Sequence, residues 1–267
     1  MADARAFQPV RRFGATTRPD TWWLQSALTF LGLGGFVVYS TWAAFQGAHY
    51  EFGNYLSPMY SPLLFGTSPH AWFGGPDVPV WWPGALPYSA ALLILWAPGG
   101  FRFTCYYYRG AYYKAFWADP PACAVGEPRS GYRGERKFPL IFQNIHRYFL
   151  YLAVAFLFIL GYDAWNGIRF IDNGVTHFGL GVGSLVLILN VTLLTGYTLG
   201  CHSMRHLVGG VLDRMSGRPV RKAAYVCSSA LNRAHMRWAW ASLVWVAFTD
   251  LYIRLCSMGV WHDVRFF

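Results

Sequence analysis

Three stretches of this chain are long enough and apolar enough to cross a bilayer without one charged residue: Trp22–Phe45, Val78–Phe101 and Phe178–Leu199. A spanning helix needs about 20 such residues. Two further stretches, around His146–Trp165 and His235–Val260, have shorter uncharged cores, Tyr148–Tyr162 and Trp238–Thr249. They reach spanning length if Arg147, Asp163, Arg237, Asp250 and Arg254 lie at the interfaces or face protein. The expectation is an all-α polytopic membrane protein, a bundle of five transmembrane helices in one membrane domain covering residues 1–267. The helices are placed at about 22–45, 82–108, 146–165, 178–202 and 235–260, with a kink at Pro98-Gly99-Gly100.

Composition agrees. Only 13% of the residues are charged, against about 25% in soluble domains, and 19% aromatics exclude a disordered chain. Five cysteines without dense spacing exclude a disulfide-stapled module. The first apolar stretch is too long for the core of a cleavable signal, so none is expected. The net charge of +10 does not indicate nucleic acid, because the cations sit between apolar blocks.

Those cations fix an orientation. Residues 1–21 carry four Lys and Arg, 102–147 carry eight and 201–237 carry seven; Arg169, Arg254 and Arg265 complete the 22. The positive-inside rule puts the three basic segments and the N-terminus in the cytoplasm and the C-terminus outside. The proline-rich 46–77 connection becomes an outer loop folded over the bundle.

With that topology, four helices bring a His or Cys to one depth near the cytoplasmic face: Cys105, His146, Cys201 (followed by His202 and His206) and His235. Singly, such residues are ordinary packing or hydrogen-bonding groups. Together in a membrane bundle they mark function. Two cofactors suit them. Bis-His haem b needs two facing histidines, for which His146 and His235 serve. A Rieske-type [2Fe–2S] cluster needs two Cys and two His, met by Cys105, Cys201, His146 and His235, although the Cys-x-His loops of soluble Rieske domains are absent. Stoichiometry leaves both open. Cys123, Cys227 and Cys256 read as loop or packing residues.

The stretch Tyr106–Lys114 reads as an interfacial aromatic belt or as a face beneath a cytoplasmic partner. The inner loops hold no phosphate-binding glycine motif, nucleophile elbow or metalloprotease motif, so a catalytic domain must come from another chain. No inverted repeat supports a transporter.

The motifs Arg102-Phe-Thr-Cys105-Tyr-Tyr-Tyr-Arg109, Asn144-Ile-His146-Arg147-Tyr148, Gly200-Cys201-His202-Ser-Met-Arg205-His206 and Asn232-Arg-Ala-His235-Met-Arg237-Trp238 resemble the membrane anchor of succinate dehydrogenase and fumarate reductase. They are most similar to the actinobacterial type with one large five-helix anchor, over about residues 22–260. The resemblance implies a bacterial cytoplasmic membrane and docking of a flavoprotein subunit and an iron–sulfur subunit at the inner face. It implies electron flow from succinate through FAD and iron–sulfur clusters to quinone. Haem-bearing anchors place four histidines at two depths, whereas His49 and His177 lie too far out here and a haem leaves the paired cysteines without a role. That favours the Rieske-type cluster over a single haem b; a redox-inactive anchor is the remaining alternative. Tyr108, Arg147, His202, His206, Arg237 and Trp238 are candidates, by depth, for a quinone pocket in the surrounding lipid.

Overall fold

The computed structural model describes residues 12–85, 87–128, 138, 140–172, 174–210, 212 and 214–267. Arg5, Arg11, Arg129, Arg133, Arg136 and Lys137, counted above in the basic segments, lie outside the described residues. The chain divides into two compact units, residues 1–37 with 103–144, and residues 38–102 with 145–267.

Among the described residues, four helices have the length and apolarity to cross a membrane: Trp22–Gln46, Ile141–Asn166, Val182–Leu199 and His235–Ser257. Helix α1 is Trp22–Gln46, and it runs through both units. The stretch expected as the second span is divided into α2 (Ala90–Ile94), α3 (Trp96–Thr104) and α4 (Tyr106–Ala115). Pro98 removes one backbone donor near the first break. At the second break Cys105 takes an extended conformation, φ −62° and ψ 129°.

In the first unit the polypeptide around residues 116–126 packs on the N-terminal segment. Ser26 donates to the Pro121 carbonyl at 3.0 Å, and Phe30 meets Phe116 at 4.8 Å. Gly126 lies so close to the Arg12 carbonyl that a Cβ would stand 2.1 Å from its oxygen. On α4, Arg109 and the Tyr112 hydroxyl both bond the Gln143 side chain, at 3.1 and 3.0 Å.

The second unit holds α5 (His146–Asn166), α6 (Val182–Leu199), α7 (His202–Gly209), α8 (Pro219–Asn232) and α9 (His235–Ser257). Two short hairpins accompany them: β1 (Glu51–Phe52) with β2 (Tyr55–Leu56), and β3 (Arg169–Asp172) with β4 (Val175–Phe178). Helix α6 packs between α5 and α9. Tyr55, Ala164, Val186, Leu187, Tyr252, Ile253 and Cys256 form a shared apolar core there. Gly183 permits it, because a Cβ would stand 2.4 Å from the Tyr55 ring.

The 46–77 segment enters the helices as well as capping them. Arg254 and Asp250, one turn apart on α9, form an ion pair at 2.7 Å that is essentially closed to solvent. Arg254 also donates to the Ala43 and Ala48 carbonyls at 2.9 and 2.8 Å. Asp250 accepts from the Tyr39 hydroxyl at 2.6 Å and from Ser57. Ser61 donates to buried Asp163 of α5. Asp163, Asp250 and Arg254, three of the charged residues that limited the apolar cores of α5 and α9, therefore face protein. Each is satisfied by the chain itself, as burial of a charge requires.

Candidate functional site

Cys105 and Cys201 occupy the same kind of position. Each is buried, 2% and 3% exposed, and each is the extended residue that starts a helix, Cys105 for α4 and Cys201 for α7. The Cys201 carbonyl accepts from the Met204 and Arg205 amides at 3.1 and 3.2 Å, and the Cys105 carbonyl from Arg109 at 2.9 Å.

His146 and His235 are the first residues of α5 and α9. His146 stacks on Phe101, with centroids 4.7 Å apart and planes 12° off parallel, and His235 stacks on Tyr197 at 5.1 Å and 18°. Phe101 and Tyr197 meet edge-on at 5.4 Å. The His146 Nε2 lies 3.1 Å from the Cys201 sulfur. Arg102 sits over the Tyr197 ring at 4.7 Å and donates to the Ala239 carbonyl and the Ser242 hydroxyl. Both imidazoles are thus held by aromatic rings that precede a cysteine by four residues. The same spacing continues beyond each cysteine: Phe101-x3-Cys105-x3-Arg109 and Tyr197-x3-Cys201-x3-Arg205. This repeat was readable in the sequence, and the sequence reading missed it.

Of the four expected metal ligands, His146 and Cys201 are in contact, His235 is joined to them through the Tyr197 and Phe101 rings, and Cys105 belongs to the other compact unit. Among the described residues, no three His, Cys, Asp or Glu side chains gather as around a single ion. A two-iron cluster takes its ligands as two pairs, so two buried thiols and two ring-held imidazoles fit it in donor chemistry.

The expected quinone-pocket residues differ in burial. Arg147 and Arg237 are exposed, Arg147 over the Tyr148 ring at 5.4 Å. Tyr108 is buried in α4, in the other unit from α9. His202 and His206 are exposed and bonded to each other at 3.0 Å. Partial burial, with His206 and Arg205 adding to it, holds His202 below the ordinary imidazole pKa. Trp238 differs. Its ring lies on Gly196, where a Cβ would come within 2.6 Å, and its indole Nε1 is buried with no hydrogen-bond partner among the described residues.

These features define a multi-pass helical membrane protein with cysteine and histidine side chains presented from helix starts. A family profile described as actinobacterial succinate dehydrogenase subunit SdhC matches residues 24–259. The chain belongs to that family and is a membrane subunit of succinate dehydrogenase. It is 43% identical to a chain of the Mycobacterium smegmatis Sdh1 complex in the apo form, with a TM-score of 0.84, covering 100% of this chain and 98% of that one. Other subunits of such a complex are its partners. No curated protein matches it.

Proposed function

We propose that this subunit passes electrons from the iron–sulfur subunit of succinate dehydrogenase to quinone, with a Rieske-type [2Fe–2S] cluster held by Cys105, Cys201, His146 and His235. The flavoprotein subunit oxidises succinate to fumarate, releasing two electrons and two protons. A quinone at the membrane end takes up two electrons and two protons to become quinol. The bound cluster supplies one-electron storage between the two. The chain itself holds the imidazoles in place by stacking and presents a buried thiol at each of two helix starts. Trp238 offers an unmatched N–H to a quinone carbonyl. The observation that carries the reading is the buried His146–Cys201 contact at 3.1 Å, set in two matching aromatic-x3-Cys-x3-Arg segments. The Lys and Arg bias supports a cytoplasmic N-terminus in a bacterial cytoplasmic membrane, with partners on the basic side.

EPR and visible spectra of the purified complex test this directly. A reduced low-g [2Fe–2S] signal lost in His146→Ala and His235→Ala supports it. A haem Soret band selects haem b, and neither signal selects a redox-inactive anchor. In the same variants succinate oxidation with an artificial acceptor should persist while quinone reduction disappears.

A further inference from the structure

Helix α8 carries its amphipathicity reversed. At 100° per residue, Val220, Ala223, Ala224, Cys227 and Ala230 fall on one face, and Arg221, Tyr225, Ser228, Ser229 and Asn232 on the other. The polar face is the one packed inward. Ser228 is buried and donates to the Leu199 carbonyl at 2.7 Å, and Asn232 donates to the Gly200 carbonyl at 2.7 Å. Arg205 donates to the Tyr225 hydroxyl at 3.1 Å, and Arg221 to the Val208 carbonyl at 2.7 Å. The apolar face is left outward: Val220 is 83% exposed, and Ala223, Ala224, Cys227 and Ala230 are exposed.

Three further facts say what covers this face. The bonds to Leu199 and Gly200 tie α8 to the last residue of the α6 span, and three residues after α8 the α9 span begins. The helix is thereby fixed at a membrane boundary. Between α7 and α8 runs an open groove of about 550 Å³ lined by apolar Leu207, Val208, Pro219, Val220 and Ala224 together with Arg218 and Arg221. Lys222 adds a third, exposed cation at the same helix start.

From this we propose that α8 lies in the lipid interface and that the α7–α8 groove binds an anionic phospholipid, its acyl chain on the apolar lining and its phosphate at Arg218 and Arg221. Apolar surface outward and cations at one end are the features of an interfacial helix on an anionic leaflet. The site is independent of the cluster and does not rest on it.

Cys227 makes the test direct. Cys123 and Cys227 are the two exposed cysteines, so Cys123→Ser leaves a thiol on the α8 apolar face as the exposed label site. A fluorophore on Cys227, in the whole complex reconstituted into vesicles, should be quenched by brominated acyl chains. Quenching should be stronger with brominated phosphatidylglycerol than with brominated phosphatidylcholine. Arg218→Gln and Lys222→Gln, which spare the packed polar face, should each reduce that preference about fivefold. No quenching by either lipid, or equal quenching by both, overturns the proposal. So does a Cys227 that reacts in the isolated subunit and is shielded in the complex, which would give the face to a protein partner.

Discussion

Both ends of α9 bury polar side chains, and they do so in opposite ways. At the Asp250–Arg254 end each charged group has a partner from its own chain: an ion pair, two carbonyls of the α1 end, and hydroxyls of Tyr39 and Ser57. At the His235 end Trp238 Nε1 is buried and has no hydrogen-bond partner among the described residues, as is the case for Arg205 Nε and Ser229 Oγ. The two regions lie about 23 Å apart along the helix. An unpartnered buried group costs stability, and under the proposed function the Trp238 N–H is the donor that a bound quinone would satisfy. Complete satisfaction at the other end marks a structural lock.

Removing one member of the lock gives the largest expected effect. Asp250→Ala leaves Arg254 buried without its counter-charge and should cost about 3–5 kcal/mol, read as a lower melting temperature and poor recovery of the assembled complex. The paired change Asp250→Leu with Arg254→Met should be milder than the single one, because it leaves no orphaned charge. If the single variant melts as the parent does, the lock assignment is wrong. The next effect falls on the loop. Ser61→Ala deprives Asp163 of its hydroxyl and should cost about 1–3 kcal/mol. Ser57→Ala should cost less, since Asp250 keeps Tyr39 and Arg254. Equal losses would show that the two carboxylates are not distinguished by their remaining partners.

The two ends also differ in how well the sequence disclosed them. Apolar run length gave α1, α6 and the cores of α5 and α9, because a span is set by local composition. The second expected span was read as one helix kinked at Pro98-Gly99-Gly100, whereas nothing local says that Cys105 leaves the helical conformation. Asp250 and Arg254 were expected to lie at an interface or to face protein, and their i,i+4 spacing, which allows the ion pair, went unread. Their other partners, Tyr39, Ala43, Ala48 and Ser57, are about 200 residues away, which no spacing argument reaches. Cys201 and His146 were named from shared depth, while the aromatic rings that orient the histidines became visible only with the packing. The reversed face of α8 was legible as a periodicity, but which side packs inward was not.

A close contact sharpens the comparison at the His235 end. Gly196→Ala would push a methyl group into the Trp238 ring, which lies 2.6 Å from the Cβ position. Such overpacking costs about 1–3 kcal/mol, and it should also lower quinone reduction, because Trp238 follows His235 by one helical turn. A drop in melting temperature with unchanged quinone kinetics would limit Gly196 to packing.

The smallest stability change is expected where the orphaned donor itself is removed. Trp238→Phe keeps an aromatic ring on Gly196 and deletes an N–H that has no partner among the described residues. Losing an unsatisfied donor removes a desolvation penalty and leaves no acceptor stranded, so the melting temperature should hold or rise slightly. A quinone carbonyl that uses this N–H would lose one hydrogen bond of about 0.5–1.5 kcal/mol, which is roughly a 2- to 13-fold rise in quinone KM. Succinate oxidation with an artificial acceptor should not change, since that chemistry lies on a partner subunit. The split between these readouts separates the two ends of α9: Asp250→Ala loses the complex and Trp238→Phe loses only quinone affinity. A Trp238→Phe complex with unaltered quinone KM would assign the orphaned N–H to some other guest, such as a buried water, and would remove Trp238 from the quinone pocket.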